Sequence, residues 1–342
     1  MTYINKQWVL KQRPTTTVDS GDLSLQSTPV PPLQDGEVLV RNVYLSLDPT
    51  NRVWMSDREQ YLPPVELGSV MRGSTLGVVE ESRSERFAPG DVVFPGDSGW
   101  QLYSVSHESR TGRVRQADGV PLSAYMSVLG STGLTAYFGL LDICDPKPGE
   151  TLVVSAAAGA VGSVVGQIAK IKGARVIGIA GGPAKCKWLV DDLGFDAAID
   201  YRDDDVGEAL DRLCPDGIDM NFENVGGPIM DAVFSRLRLN GRMALCGLIS
   251  GYNEEGPMPG PTDFGRILMK RLTIRGFIVI DYFGRAREAM ADLSQWVAQG
   301  KIRWKDHIVE GLENAPSALD RLFTGDHDGK LMVALSDVPG KG

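Results

Sequence analysis

The chain has 342 residues, enough for two domains that each bury a core. Hydrophobic residues make up 42% and charged residues 23%, an ordinary balance for a globular protein. The formal net charge of −9 argues against a nucleic-acid surface, which requires a basic face, and no apolar stretch is long enough for a membrane span.

The opening MTYINKQWVLKQRP carries no signal-like apolar run. Cys144, Cys186, Cys214 and Cys246 form neither a CxxC pair nor the spacing of a zinc or disulfide framework, so a reduced, cytoplasmic protein is expected. Up to about residue 125, short apolar runs (Glu37–Tyr44, Ser74–Val79, Asp91–Phe94, Gln101–Ser106) are separated by turns such as Ala88-Pro89-Gly90-Asp91. That texture predicts a β-rich, barrel-like domain. A helix is predicted over Leu134–Asp142, and Pro146-Lys147-Pro148-Gly149 leads on to a strand at Thr151–Val154.

From Thr151 to Gly173 the sequence reads as strand, glycine turn and helix in one run. The turn has the spacing Ala157-x-Gly159-x-x-Gly162, with alanine where the usual dinucleotide fingerprint has its first glycine. Val161, Val164, Val165, Ile168 and Ile171 share one helical face, and Gly173 stands where a helix stop belongs. Strands are then predicted at Ala174–Ala180, Ala197–Asp200, Ile218–Glu223, Arg242–Cys246 and Leu272–Ile280. Helices are predicted at Pro183–Leu193, Val206–Leu213, Pro228–Leu237 and Phe283–Gln299. Alternation at this spacing predicts an α/β, Rossmann-type doubly wound parallel sheet. The tail from about Trp304, with strand-like Lys330–Leu335, is expected to complete the first domain. The domains expected are therefore 1–126 with 304–342, and 127–303.

Backbone N–H groups at a helix N-terminus can approach a pyrophosphate closely. Gly159 allows that approach, and Gly162 lets the helix pack tightly on the sheet. NAD-binding sheets place an acidic residue near the end of the second strand to hold the adenosine ribose. Here that strand empties into Gly181-Gly182-Pro183-Ala184-Lys185, with no Asp or Glu. A small neutral loop and a lysine suit a 2′-phosphate, so NADP(H) is expected. Lys185 opposes the helix dipole at a first turn, which points the same way; a solvated surface lysine is the plainer alternative. Asn224 ends the fourth strand on the ligand-binding side of such a sheet, and it equally suits a turn before Gly226-Gly227.

Several segments occur in order: YLSLDPTNR (Tyr44–Arg52), Gly-Leu-Thr-Ala-Tyr at 133–137, SAAAGAVGSVVGQIAK, Phe-Glu-Asn-Val-Gly-Gly at 222–227, CGLISGYN (Cys246–Asn253) and GFIV (Gly276–Val279). Together they resemble the zinc-independent medium-chain dehydrogenase/reductase superfamily, within it the NADP-dependent alkenal/enone reductase group. The resemblance runs from about Val40 to Val333. It implies a GroES-like barrel domain beside the Rossmann domain, a homodimer, and NADPH as cofactor. Carried over by position, Gly159, Ala160, Val161 and Gly162 hold the pyrophosphate, and Lys185 and Tyr201 the 2′-phosphate. Asn224 and the loop Cys246, Gly247, Leu248, Ile249 and Ser250 line the cofactor, with Phe277, Ile278 and Val279 at its nicotinamide end. The chain departs from the family at Thr50-Asn51, where an aromatic residue is common, and at His327, where the family's tail motif has asparagine.

Only His107, His307 and His327 offer imidazole, and none pairs with a cysteine at ligand spacing, so no metal site is expected. Reducing an enone without a metal needs a hydrogen-bond donor for the oxygen that becomes an enolate. Tyr252 in the Ser250-Gly251-Tyr252-Asn253 loop is the expected donor, and either Tyr252 or water the source of the α-carbon proton. The expected activity is NADPH-dependent reduction of the C=C bond of α,β-unsaturated aldehydes and ketones. The alternatives are an NADPH:quinone reductase and a non-catalytic dinucleotide-binding protein of the same fold.

Overall fold

A computed structural model describes residues 3–339 except Ser20 and Asp97. In chain order the strands are β1 (Ile4–Leu10), β2 (Leu23–Pro29), β3 (Glu37–Ser46), β4 (Thr75–Ser82), β5 (Val92–Phe94), β6 (Tyr103–His107), β7 (Gly112–Arg113), β8 (Thr151–Val154), β9 (Arg175–Ala180), β10 (Ala197–Asp200), β11 (Ile218–Glu223), β12 (Leu237–Leu245), β13 (Thr273–Gly276), β14 (Asp306–Glu310) and β15 (Lys330–Ala334). The α-helices are α1 (Thr50–Trp54), α2 (Ser131–Phe138), α3 (Ala160–Ile171), α4 (Pro183–Asp191), α5 (Val206–Leu213), α6 (Gly227–Phe234), α7 (Arg266–Lys270), α8 (Ala286–Ala298) and α9 (Ala315–Thr324). They divide between two compact units. One contains the chain up to Met126, Asp306–His327 and the residues from Leu331 on; the other contains Ser127–Lys305 and Asp328–Lys330.

The first unit is built on β3, whose run EVLVRNVYLS is buried almost throughout. It pairs antiparallel with β4, β6 and β15, in a sheet ordered β14-β15-β3-β4-β5-β7 with β6 also on β3. The tail therefore supplies two strands of this sheet, Met332 lying opposite Ser46. Leu10, Leu45, Leu47, Met55 and Trp100 share one apolar cluster with Leu312, Ala315 and Leu319 from the tail. The hairpin of β1 and β2 was not expected from sequence, nor was the five-residue helix α1. Within α1, Asn51 accepts the Asp48 N–H at 2.8 Å, and buried Arg52 donates to the carbonyls of Pro14 and Thr16.

The second unit is an α/β layer around a parallel sheet of order β10-β9-β8-β11-β12-β13. Its inner strands are covered on both faces, which explains why TLVV, RVIGIA and IDMNFE read as nearly unbroken buried runs. From β8 the chain first moves outward through β9 to β10, then crosses to β11 on the other side. The carboxyl ends of β8 and β11 thus flank the switch point at which this fold binds ligands. Helix α3 lies close to the sheet because Gly166 has no side chain: a Cβ there would stand 1.9 Å from the Phe195 ring. Among the described residues no helix is long and apolar enough to cross a membrane.

Several element boundaries differ from expectation, among them the strand expected at Arg242–Cys246, which covers Leu237–Leu245. The strand expected over Leu272–Ile280 covers only Thr273–Gly276, because Phe277 turns in against Phe222 and Val279–Arg285 coils into 3-10 turns. The closing helix accordingly starts at Ala286 rather than Phe283. The helix expected to reach Leu237 ends at Phe234, and Leu237 instead pairs with Ile218 in the sheet. The helix expected over Leu134–Asp142 starts at Ser131 and widens into a π-turn over Gly139–Cys144. Phe222 and Phe277 press on its Gly139, where a Cβ would meet the Phe277 ring at 2.4 Å.

Candidate active site

The turn after β8 is shaped by two small residues and one strained one. Ala156, at φ 48, takes the left-handed conformation that glycine usually supplies. Ala157 is fully buried, and its Cβ fits because the neighbouring strand has Gly178 opposite; a Cβ on Gly178 would lie 2.9 Å from it. Gly159 is the N-cap of α3, and no side chain caps that helix. The first-turn amides of Ala160, Val161 and Gly162 are left to a ligand or solvent. At Gly162 a Cβ would stand 2.5 Å from the Ala156 carbonyl oxygen, so the tight join between turn and helix excludes any larger residue. An uncapped helix N-terminus behind a side-chain-free turn fits a pyrophosphate in both charge and room.

The adenosine end is expected at the loop leaving β9. Gly182, at φ 95, is the N-cap of α4, again with no side-chain cap and no acidic residue in the first turn. Lys185 is half-buried in that turn, and Tyr201 is exposed where β10 ends. The Tyr201 ring covers Gly181, where a Cβ would meet the phenol oxygen at 2.8 Å. The carboxylate nearest this loop belongs to Asp200, at the end of β10. It accepts the N–H groups of Gly182 at 2.8 Å and Arg202 at 3.1 Å. Both bonds end on Asp200 Oδ1, which ties the loop to the end of β10, and a lysine and a tyrosine beside it suit a phosphate.

At the end of β11, Asn224 is tied back to β8: its side-chain N–H donates to the Ser155 carbonyl at 2.7 Å and its backbone N–H to Ser155 Oγ at 2.8 Å. Next to it the loop after β12 begins with Cys246 and Gly247, both of which donate to the Glu223 carbonyl. Burial, and then the Glu223 carboxylate, push the Cys246 thiol up to about 12, so it stays protonated and a poor nucleophile near neutral pH. Leu248 leads into a 3-10 turn over Ile249–Gly251, and Ser250 Oγ donates to the Val225 carbonyl at 2.7 Å. Tyr252 folds back across this loop, and its Oη accepts the Leu248 N–H at 3.1 Å. Gly247 makes room for it; a Cβ there would stand 3.2 Å from the phenol oxygen. Phe277 lies edge-on to Phe222 and Tyr282, while Ile278 and Val279 are half-buried beside it.

The residues marking departures from the family are engaged locally. Thr50 Oγ1 lies 2.6 Å from the Tyr61 hydroxyl, and His327 Nδ1 lies 3.0 Å from the Arg321 carbonyl oxygen. His107 bonds Ser109, and His307 bonds Arg321. Among the described residues, no three His, Cys, Asp or Glu side chains gather at metal-binding range. Sequence reading missed Ser155, Glu223 and Asp200, all of which shape the loops above. An acidic residue ending a strand buried on both faces was the available signal for Glu223.

Fold and loops together define a dinucleotide-binding oxidoreductase. Residues 6–114 match the family described as the N-terminal domain of oxidoreductases, and residues 160–299 that described as zinc-binding dehydrogenase. The chain belongs to the zinc-independent medium-chain dehydrogenase/reductase superfamily, in its alkenal reductase group. It is 43% identical over 337 residues to the NADPH-dependent curcumin reductase of Escherichia coli, covering 97% of each chain. It is 41% identical over 333 residues to prostaglandin reductase 1 of Bos taurus, covering 96% of this chain and 98% of the relative. The crystal structure of CurA from Vibrio vulnificus in complex with NADPH superposes with a TM-score of 0.92 at 44% identity, over 97% of this chain and all of that one.

Proposed function

We propose that the protein reduces the C=C bond of α,β-unsaturated aldehydes and ketones. It is an NADP-dependent oxidoreductase. The observation that carries the substrate reading is Tyr252, a phenol held by the Leu248 N–H over the loop at the carboxyl end of β12. Relatives named for curcumin and prostaglandin reduction, at about the same identity, support it. NADPH, when bound, supplies a hydride to the β-carbon of the substrate. The turn Gly159–Gly162 would hold the pyrophosphate, Lys185 and Tyr201 the 2′-phosphate, and Asn224 with Cys246–Ser250 the middle of the cofactor. Tyr252 donates its hydroxyl proton in a hydrogen bond to the carbonyl oxygen as negative charge grows there. An N–H donated into the phenol oxygen strengthens the phenol as a donor in turn. The enolate then takes a proton at its α-carbon, from Tyr252 or from water.

Steady-state assays with NADPH against a 2-alkenal, a long-chain enone and a quinone test the reading. Saturated aldehyde and ketone are expected as products by mass spectrometry. Quinone turnover with no loss of enone would overturn it in favour of a quinone reductase, and binding of NADPH without turnover would favour a non-catalytic protein.

The reading includes a homodimer. Among the described residues β13 lies at the end of the strand order, with β12 alone beside it, and its residues are largely exposed. Nearby Phe264, Leu268 and Met269 are each about 70% exposed, beside an apolar groove lined by Ile267 and Arg271. An open strand edge flanked by large exposed hydrophobics calls for a cover, and a second copy pairing edge to edge provides one. Leu268→Asp is expected to shift the light-scattering mass from dimer to monomer. A parent that is monomeric at micromolar concentration, or a variant that stays dimeric, counts against this edge.

A further inference from the structure

Glu223 accepts hydrogen bonds on both carboxylate oxygens, and neither the proposed chemistry nor the dinucleotide fingerprint calls on it. It ends β11 with no exposed surface. Its Oε1 accepts three donors: Ser155 Oγ at 3.0 Å, the Val225 N–H at 2.8 Å and the Gly226 N–H at 2.8 Å. Its Oε2 accepts Asn221 Nδ2 at 3.1 Å. Its main-chain carbonyl accepts the Cys246 and Gly247 N–H groups at 2.9 and 3.1 Å. Burial raises the carboxyl's pKa, and these hydrogen bonds act against the rise. A buried acid carries a desolvation cost that an apolar core residue would avoid.

The partners show what the cost achieves. Ser155 opens the turn after β8, Val225 and Gly226 form the turn after β11, and Cys246 and Gly247 open the loop after β12. Those are the three segments expected to line NADPH. Ser155 Oγ closes the circuit, giving its proton to Glu223 and accepting the Asn224 N–H. Gly226, at φ 82, lets consecutive amides aim at one oxygen. We propose that Glu223 is a positioning residue for the cofactor: with Ser155, it locks the ends of β8, β11 and β12 into the arrangement that NADPH meets. The proposal rests on NADPH lying along these segments.

Isothermal titration of NADPH into the full-length protein tests it, with melting temperatures of the cofactor-free variants measured alongside. Ser155→Ala removes the bridging hydroxyl and leaves the rest of the core intact. It is expected to raise the NADPH Kd about tenfold with kcat and the enone KM within about twofold of the parent. Glu223→Leu is expected to be at least as weak. Glu223→Gln keeps the acceptor that faces Ser155, Val225 and Gly226. Its new amide can donate to Asn221 Oδ1, an acceptor that is buried and without a partner, once the Asn221 amide rotates. It is therefore expected to restore affinity to within about threefold. Amide hydrogen exchange at Val225 and Gly226 should quicken in Ser155→Ala and Glu223→Leu and remain slow in Glu223→Gln. NADPH binding by folded Ser155→Ala within twofold of the parent overturns the proposal. So does a folded Glu223→Gln as weak as Glu223→Leu. A parent that binds no NADPH would instead remove the cofactor placement on which the proposal rests, a separate result read from the first titration.

Discussion

Tyr252→Phe is expected to lower kcat for an enone by about a hundredfold, with the NADPH KM within about twofold of the parent. The substitution deletes one oxygen. That oxygen accepts the Leu248 N–H and, in the proposed reaction, carries the proton offered to the developing enolate. Loss of one donor aimed at an oxyanion typically costs about 3 kcal/mol of transition-state stabilisation, which corresponds to roughly a hundredfold or more in rate. The ring itself survives in phenylalanine, so the loop should keep its course. Ground-state cofactor binding should change little for the same reason. A kcat within threefold of the parent would remove Tyr252 from the chemistry and leave the enolate to water or to a backbone amide. The split between kcat and KM separates this outcome from a loop that has simply come loose, which would raise the NADPH KM as well.

The second large effect concerns the cofactor's 2′-phosphate. Lys185→Ala is expected to raise the NADPH KM about thirtyfold and the NADH KM by less than twofold. A charge-assisted hydrogen bond to a phosphate contributes about 2 kcal/mol, and 2 kcal/mol is about thirtyfold. The first turn of α4 contains no acidic residue, and Asp200 Oδ1 accepts the amides of Gly182 and Arg202. Tyr201, lying over Gly181, offers a second donor at the same edge. Equal losses for NADPH and NADH in a coupled assay would show that Lys185 serves helix α4 alone.

The Rossmann unit was legible because its physics is local. Each inner strand is buried on both faces, so its apolar run announces itself, and each helix begins after glycine or a turn and shows one apolar stripe. Ala197–Asp200, Val206–Leu213 and Ile218–Glu223 fall where the pattern put them. The first unit was harder to read because its core is not local. Trp8 on β1 donates to the Leu312 carbonyl, and Leu10 packs in one cluster with Ala315 and Leu319, contacts that no window of sequence around β1 contains. β1 and β2 are mixed polar and apolar, with much of β2 exposed, so neither gave a strong strand signal. The run Phe277–Ile280 misled for the opposite reason. It is apolar enough to be a strand, but Phe277 finds its partners in Phe222 and Tyr282, and the chain must coil to place it there.

Among the residues of the candidate site, the glycines and Asn224 stood out in the sequence because their types are restrictive. Ser155, Asp200 and Glu223 were not, because their roles depend on which backbone amides a fold brings to face them.

Ala157 and Gly178 extend that lesson beyond this chain. The two positions share one small volume, so what the packing limits there is a sum of sizes rather than the identity of either residue. A search pattern that demands glycine at the first position of the turn would pass over proteins that keep their glycine across the sheet instead. A pattern written on the pair would find them.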